Sequence, residues 1–204
     1  MPLNRRAFCW TLAAGAISTV AAVPALASQS AWQPQTQNIA FTPIDPAIIA
    51  SQFRKQAVQV NFAEWPGTIV VDTNERFLYL LLEKGLALRY GVGVGREGFG
   101  WSGEARVGRK QEWPTWTPPA EMVARDPQAA KWADGMPGGP DNPLGARALY
   151  LFEGDRDTLF RIHGTNAPET IGKAVSSGCI RMLNEHVVEL YRRTPEGAKV
   201  IVLA

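Results

Sequence analysis

Apolar residues recur in short runs from about residue 66 onward, and turn-forming residues separate the runs. β-Branched side chains fill residues 68–71, and two longer apolar runs meet at the tight turn Glu83-Lys84-Gly85. The pattern predicts strands over residues 68–71, 76–82, 86–94, 147–152, 158–162 and 198–203. Many short strands with turns between them indicate a mainly β domain of the sandwich or barrel type.

Helical periodicity is confined to short segments. Near the C-terminus, one helix is predicted over residues 169–175, and another begins after Asn184 as its N-cap. The buried stripe of that last helix would be Val187, Val188 and Tyr191. A few short helices beside many strands leave the mainly β prediction unchanged.

Other segments between the strands predict loops or broken helices. Residues 120–133 predict a helix that Pro127 interrupts, and the glycine- and proline-rich residues 135–145 predict a loop. Residues 112–119 predict an irregular edge segment. The glycines at 91, 93 and 95 end a predicted strand and mark a place where other backbone or a ligand approaches closely.

The first 27 residues are typical of an export signal. Arg5-Arg6 precedes a run without charge over residues 7–27, which ends in Ala25-Leu26-Ala27. This order predicts cleavage before Ser28, and the basic pair is similar to a twin-arginine signal. An uncleaved membrane anchor is the alternative, since the run is almost long enough to span a bilayer. The expected location is the periplasm.

Residues 28–60 predict a tether, because their first part is polar, rich in glutamine and without period. A short helical patch over residues 46–58 would dock Ile48, Ile49 and Phe53 on the domain. The folded domain is then expected over residues 61–204, a length that suits one domain.

Removal of the leader changes the charge and the cysteine content. The leader holds two of the 21 basic residues and none of the 19 acidic ones, so the remainder carries 19 of each and has no net charge. A nucleic-acid partner is not expected without a clustered basic face. Cys9 lies in the leader, so Cys179 remains as a single thiol, either buried and inert or reactive.

The neighbours of Cys179 favour the reactive thiol. A thiol attacks carbonyl groups as the thiolate and needs a base, and His163 ends a predicted strand sixteen residues earlier. The small residues Ser176, Ser177 and Gly178 allow a sharp turn whose N–H groups form an oxyanion hole. Arg181 would share the strand face of Cys179, where its charge favours the thiolate or holds a carboxylate.

Residues 162–184 resemble the catalytic signature of L,D-transpeptidases of the YkuD type. The signature has His-Gly-Thr, a spacer, Ser-x-Gly-Cys-Ile-Arg-Met and a following Asn. It is matched by His163, Gly164, Thr165, Ser176, Gly178, Cys179, Ile180, Arg181, Met182 and Asn184. The resemblance extends over most of residues 66–204. One departure is Ser177, where many members carry histidine.

The resemblance implies a YkuD-like fold and a cysteine transpeptidase acting on peptidoglycan, with no cofactor. Cys179 would attack a stem peptide with His163 as base, the carbonyl of Gly164 orienting the ring, and the N–H groups around Ser177, Gly178 and Cys179 holding the oxyanion. Substrate contacts are expected from Arg181, Ser176, Thr165 and Asn166. The acyl acceptor would be another stem, an outer-membrane protein or lipoprotein, or water.

Alternatives remain open at this stage. A sortase-like enzyme also uses Cys, His and Arg, and an inactive wall-binding module would show no low-pKa thiolate. Ser176 is also suited to stabilising the turn, Thr165 and Asn166 to bonding the loop backbone, and Arg181 to an ion pair. His186 is expected to be a surface or packing residue. The cysteine and histidine spacing predicts no metal site.

Overall fold

The computed structural model describes residues 41, 44–97 and 100–203. Within them, the first strands are β1 (Gln56–Gln59), β2 (Ile69–Asp72), β3 (Phe77–Leu81), β4 (Leu86–Gly91), β5 (Val94–Gly95) and β6 (Gly103–Glu112). The remaining strands are β7 (Arg147–Glu153), β8 (Arg156–His163), β9 (Ala174–Ser176), β10 (Ile180–Arg181) and β11 (Lys199–Leu203). The helices are α1 (Ala120–Arg125), α2 (Pro127–Ala130) and α3 (Asn184–Arg193). Single 3₁₀ turns cover Pro46–Ile48, Ser51–Phe53, Glu83–Gly85 and Pro168–Thr170.

The described strands form one large sheet and one small sheet. The order of the nine-stranded sheet is β1-β4-β3-β2-β11-β6-β7-β8-β10, and β5 pairs with β9. One face of the large sheet, together with Val187 and Leu190 of α3, encloses the main apolar core. The prediction of a mainly β fold with few helices is therefore confirmed.

Most predicted strands lie within a residue or two of the observed ones, but the long strand β6 and the short strands β1, β9 and β10 were not predicted. The sequence of β6 is polar, and only Ala105 and Val107 of its ten residues are buried. On its other face, the guanidinium groups of Arg106 and Arg109 lie over the rings of Phe152 and Tyr150. These long arginine side chains cover the aromatic rings, so this face of β6 carries polar residues. β6 therefore lacks the apolar alternation of a typical central strand.

The predicted helix over residues 169–175 is wrong. A single 3₁₀ turn ends at Thr170, and Gly172 takes a φ of +82°. The chain then joins β5, because Val94 N–H donates to the carbonyl of Lys173 (3.0 Å). Tertiary pairing therefore overrides the local helical pattern in this segment.

The segment before residue 61 is not a free tether where the structure describes it. β1 pairs with β4 at the edge of the large sheet, and Ile49 and Phe53 are buried against Ile171 and Leu183. The helical patch expected there is instead two 3₁₀ turns, and Ile48 is half exposed. The linker assignment is therefore wrong for residues 44–59, while the predicted leader and residues 28–40 lie outside the described residues.

The expected close approach at the glycines is confirmed. A Cβ atom at Gly91 would collide with the backbone of Phe53, and one at Gly93 would lie 2.7 Å from the carbonyl oxygen of Thr170. These glycines therefore let neighbouring backbone pack against the end of β4. Among the described residues, no helix is long and apolar enough to cross a membrane.

Candidate active site

The pairing of β8 with β10 brings the signature residues together. The two strands are parallel, with Ile180 opposite Ile162 and Arg181 opposite His163. Ile162 and Ile180 face the apolar core. Because side chains alternate across a strand, Arg161, His163, Cys179 and Arg181 lie on the opposite face. Cys179 precedes β10 by one residue and is therefore a diagonal neighbour of His163.

The ring of His163 is fixed by its own neighbour in the chain. His163 is buried, and its Nδ1 donates to the carbonyl oxygen of Gly164 at 2.6 Å. A carbonyl can only accept, so Nδ1 carries the proton and Nε2 is left as the basic nitrogen. The arrangement needs no carboxylate, and Asp155 and Asp157 pair instead with Arg106 and Arg161.

Burial keeps the imidazole neutral at ordinary pH. Burial, with a smaller contribution from the charges of Arg181 and Arg161, lowers the pKa of His163 from 6.5 to about 4. The carbonyl groups of Gly164 and Leu144 act in the opposite direction, but burial is the larger effect. His163 is therefore a neutral base above about pH 5.

Cys179 is partly exposed as a residue, but its sulfur lies deep. Burial raises the pKa of the thiol, while the Arg161 backbone N–H and the charges of Arg161 and Arg181 lower it. The net direction is upward, so the environment does not favour the standing low-pKa thiolate that the sequence led us to expect of an enzyme. Neutral thiol beside neutral imidazole instead suits proton transfer coupled to attack.

No hydrogen bond joins Cys179 Sγ to the His163 ring in this conformation of the described residues. Catalytic hydrogen bonds of unliganded enzymes are often long and tighten only with substrate bound. The strand register still places the two side chains as diagonal neighbours on one sheet face.

The turn before Cys179 is held by Ser176. The Ser176 hydroxyl donates to the carbonyl of Cys179 (2.7 Å) and accepts from the N–H of Gly178 (3.1 Å). Gly178 has a φ of +119°, which favours glycine, and Ser177 is exposed. Ser176 is 2% exposed, so its position fits a stabiliser of the turn and not the substrate contact expected of it.

This turn also changes the expected oxyanion hole. The N–H of Gly178 is directed at the Ser176 hydroxyl, which takes it away from an oxyanion beside Cys179. The N–H groups of Ser177 and Cys179 remain as the candidate donors of the predicted set. Replacement of the common histidine by Ser177 leaves both of these backbone donors in place.

Two of the other expected substrate contacts hold loops instead. Thr165 is buried, and its hydroxyl accepts from the N–H of Ala167 (3.0 Å). The exposed Asn166 donates to the carbonyl of Asp141 (2.7 Å). Arg181 is different, because it lies near Cys179 and Glu169 and forms no ion pair within 4 Å among the described residues. Of the four residues expected to contact substrate, Arg181 is therefore the one whose side chain suits a substrate carboxylate.

Asn184 ties three segments of the site together. Its Oδ1 accepts from the N–H of Ala146 (2.9 Å) and of Thr165 (3.3 Å), and its Nδ2 donates to the carbonyl of Thr165 (3.1 Å). Gly145 and Gly164 leave room for this side chain, since a Cβ atom at either would strike it. The prediction that Asn184 caps α3 is wrong, because it is the first helical residue and Leu183 is the cap.

His186 is the packing residue that the sequence indicated. Its ring lies 5.4 Å from that of Tyr90, and burial lowers its pKa to about 4. Arg161 was not singled out, although the period-2 pattern of the predicted strand places it on the face of His163. No group of three or more His, Cys, Asp or Glu residues in the described part of the chain is placed to hold a metal ion.

The family model of the L,D-transpeptidase catalytic domain, YkuD, matches residues 66–202. The chain is 35% identical over 139 residues to the probable L,D-transpeptidase YbiS of Escherichia coli K12, covering 66% of this chain and 43% of that protein. The chain thus spans less than half the length of this relative.

Two solved structures share the fold. A crystal structure of a probable carnitine operon oxidoreductase, caia, from Brucella melitensis is 49% identical, with a TM-score of 0.52, and covers 76% of this chain and 96% of that one. An L,D-transpeptidase from Mycobacterium smegmatis is 16% identical, with a TM-score of 0.51, and covers 67% of this chain and 58% of that one. With the family model matched over residues 66–202 and the signature residues gathered on one sheet face, this chain belongs to the YkuD L,D-transpeptidase catalytic domain family.

Proposed function

We propose that this protein is a peptidoglycan L,D-transpeptidase that works through a thioester on Cys179. The register of β8 and β10 carries the proposal, because it makes Cys179 and His163 neighbours on one face while Gly164 orients the ring. The substrate would be a tetrapeptide stem, attacked at the carbonyl of its third residue, on the L-centre of diaminopimelate. No cofactor takes part.

In the proposed first step, Nε2 of His163 takes the thiol proton as the sulfur of Cys179 attacks the carbonyl carbon. Coupling the two events avoids a free thiolate, whose formation burial disfavours. The N–H groups of Ser177 and Cys179 hold the oxyanion, each donor being worth about 10²–10³ in rate. His163 then protonates the departing amine, so the terminal D-alanine leaves and a thioester remains.

In the second step, an acceptor amine loses its proton to His163 and attacks the thioester. An amine of another stem would give a 3→3 cross-link, and an amine of an outer-membrane protein or lipoprotein would anchor that protein to the wall. Water would make the enzyme an L,D-carboxypeptidase. The guanidinium of Arg181 would hold a substrate carboxylate beside the nucleophile. Such a role places the protein in the periplasm, exported through its twin-arginine-like leader.

The name of the Brucella relative raises an oxidoreductase as an alternative. The segment that could suggest a dinucleotide site is Gly91-Val92-Gly93-Val94-Gly95. The backbone of Phe53 and Thr170 packs where Cβ atoms of Gly91 and Gly93 would lie, so these two glycines serve protein packing and not a phosphate. Nothing else among the described residues favours redox chemistry over acyl transfer.

The test is mass spectrometry of purified muropeptides incubated with the protein and with Cys179→Ala. Cross-linked, exchanged or hydrolysed products, made by the wild type alone, would identify the acceptor. A carbapenem should add its mass to the peptide that carries Cys179 and to no other peptide. Products or adducts that persist in Cys179→Ala would contradict the proposed nucleophile. A wild-type protein that binds muropeptides but converts none would be a wall-binding module.

A further inference from the structure

A row of side chains on the outer face of the sheet leads to Cys179. The register pairs Arg109 of β6 with Tyr150 of β7, and Tyr150 with Arg161 of β8. The guanidinium carbons of Arg109 and Arg161 lie 3.8 and 4.4 Å from the centroid of the Tyr150 ring. Ile162 of β8 faces Ile180 of β10. Arg161, one residue before Ile162, therefore lies beside Cys179, one residue before Ile180.

The guanidinium group of Arg161 is held in place by hydrogen bonds and by contact with an aromatic ring. Its Nη1 and Nη2 donate to the two carboxylate oxygens of Asp157, at 2.7 and 2.9 Å. Nη1 also donates to the carbonyl of Phe160 (2.8 Å), and one guanidinium face rests on Tyr150. The side chain is only 15% exposed. A two-pronged ion pair with stacking fixes the direction of a guanidinium more closely than a single contact does.

This clamp depends on an irregularity in β8. Residues four apart on a straight strand are about 13 Å from each other, too far for an ion pair. Between the pairs Tyr150–Arg161 and Phe152–Asp157, β8 advances four residues while β7 advances two, so β8 bulges. Within the bulge, Leu159 adopts a left-handed backbone conformation, with a φ of +65°, and its side chain is exposed. Strain of this kind clusters at functional sites.

We propose that the Asp157–Arg161–Tyr150 clamp is a positioning device, which holds the guanidinium of Arg161 beside Cys179 so that the buried thiol can lose its proton. The inference rests on the proposed role of Cys179 as nucleophile. It assigns a function to the bulge and to three residues outside the signature, and it gives Arg161 a role distinct from the substrate contact proposed for Arg181.

The electrostatics of the site support this role. Among the described residues, the charged and titratable groups near Cys179 include Arg161, His163 and Arg181, with Glu169 near Arg181. Glu121 and Arg125 of α1 lie with Ser177 around a small cavity of about 130 Å³, and Arg76, Arg96 and Glu97 line a larger cavity of about 500 Å³ with Gly178. Burial raises the pKa of the thiol, and Arg161 lowers it through both its backbone N–H and its charge. Of the two guanidinium charges, that of Arg161 has the larger effect on the thiol.

The test is the pH dependence of alkylation by iodoacetamide, followed on the peptide that carries Cys179. In Arg161→Met, the midpoint should rise by about one pH unit, so alkylation at pH 7 should be about tenfold slower than in the wild type. Arg161→Lys, which keeps the charge but loses the two-pronged pair, should lie between them. Asp157→Asn should also raise the midpoint, because the guanidinium is released.

Arg109→Gln is the matched control, since it removes the guanidinium from the other side of Tyr150 and leaves Arg161 in place. Its alkylation midpoint should equal that of the wild type. The inference is overturned if Arg161→Met keeps the wild-type midpoint, or if Asp157→Asn lowers it as simple loss of a negative charge would. Alkylation needs no peptidoglycan, so this result is independent of the muropeptide assay that tests the proposed function.

Discussion

The imidazole of His163 is oriented by the carbonyl oxygen of Gly164, the next residue in the chain, over a distance of 2.6 Å. In many catalytic sites a separate carboxylate performs this task. Here, the strand end that positions the base also supplies its partner, so the tautomer is set by local backbone geometry. The orientation of the proposed base therefore depends on the backbone conformation at Gly164 and on the contacts that fix that conformation.

His163→Ala should abolish most acylation near neutral pH, by a factor of about 10²–10⁴, because the thiol then has no base. Activity should partly recover at high pH, where Cys179 ionises without help. Single-turnover acylation by a carbapenem, read by mass spectrometry, measures both effects. The control is His186→Gln, which removes the other histidine of the chain and should change the rate less than twofold. Equal losses in the two variants would contradict the assignment.

The pH dependence of wild-type acylation should have its acid limb far below the usual range of histidine. Because burial lowers the pKa of His163 to about 4, the base stays neutral as the pH falls from 8 to 5. The acylation rate should therefore show no inflection near pH 6.5 and should fall only as the pH approaches 4. Stopped acylation reactions across pH 3.5–8 would measure the limb. An inflection near 6.5 would mean that His163 is better solvated than the structure indicates.

Much of the site could be read from the sequence, because the signature residues are close in the chain and the strand period gives their faces. The roles of Ser176, Thr165 and Asn166 could not, since a hydroxyl or amide in a motif serves substrate or backbone equally well until its partners are known. The β9 segment and β6 were missed because their pairing partners, not their own patterns, fix their structure.

Ser177→Ala should keep acylation within about tenfold, or roughly 1.4 kcal/mol of barrier, because the exposed side chain is not needed if backbone N–H groups hold the oxyanion. Ser176→Ala should be slower than Ser177→Ala, since it releases the N–H of Gly178 and the carbonyl of Cys179. Gly178→Val should abolish acylation, because a β-branched residue resists a φ of +119°. Acylation rates of the three variants give the ranking, and circular dichroism checks that each is folded. A collapse in Ser177→Ala alone would show that its hydroxyl takes part in the chemistry.

Asn184→Ala should lower the free energy of unfolding by about 3 kcal/mol. It leaves two N–H groups and a carbonyl of the buried segments at Ala146 and Thr165 without partners, and each such group costs about 1–3 kcal/mol. Urea denaturation measures the change. Asn166→Ala is the matched control, because this asparagine is exposed and makes a single bond to Asp141, so its loss should cost under about 1 kcal/mol. Comparable losses would show that Asn184 does not join the segments as described.

Stability should fall between pH 7 and pH 5.5, a range in which few groups other than histidine titrate. Burial lowers the pKa of His163 and of His186 from 6.5 to about 4, so both bind protons more readily in the unfolded chain. For a lowered pKa, the stabilisation is complete above 6.5 and is lost as the pH falls towards 4, at about 1 kcal/mol for each histidine by pH 5.5. Arg161 and Lys55 hold the pKa values of Asp157 and Glu189 below the usual range. Protonation of these two carboxylates therefore lowers the stability of the fold only at lower pH. Urea denaturation at half-unit intervals should give half the slope in His186→Gln, and an unchanged slope would place the titrating group elsewhere.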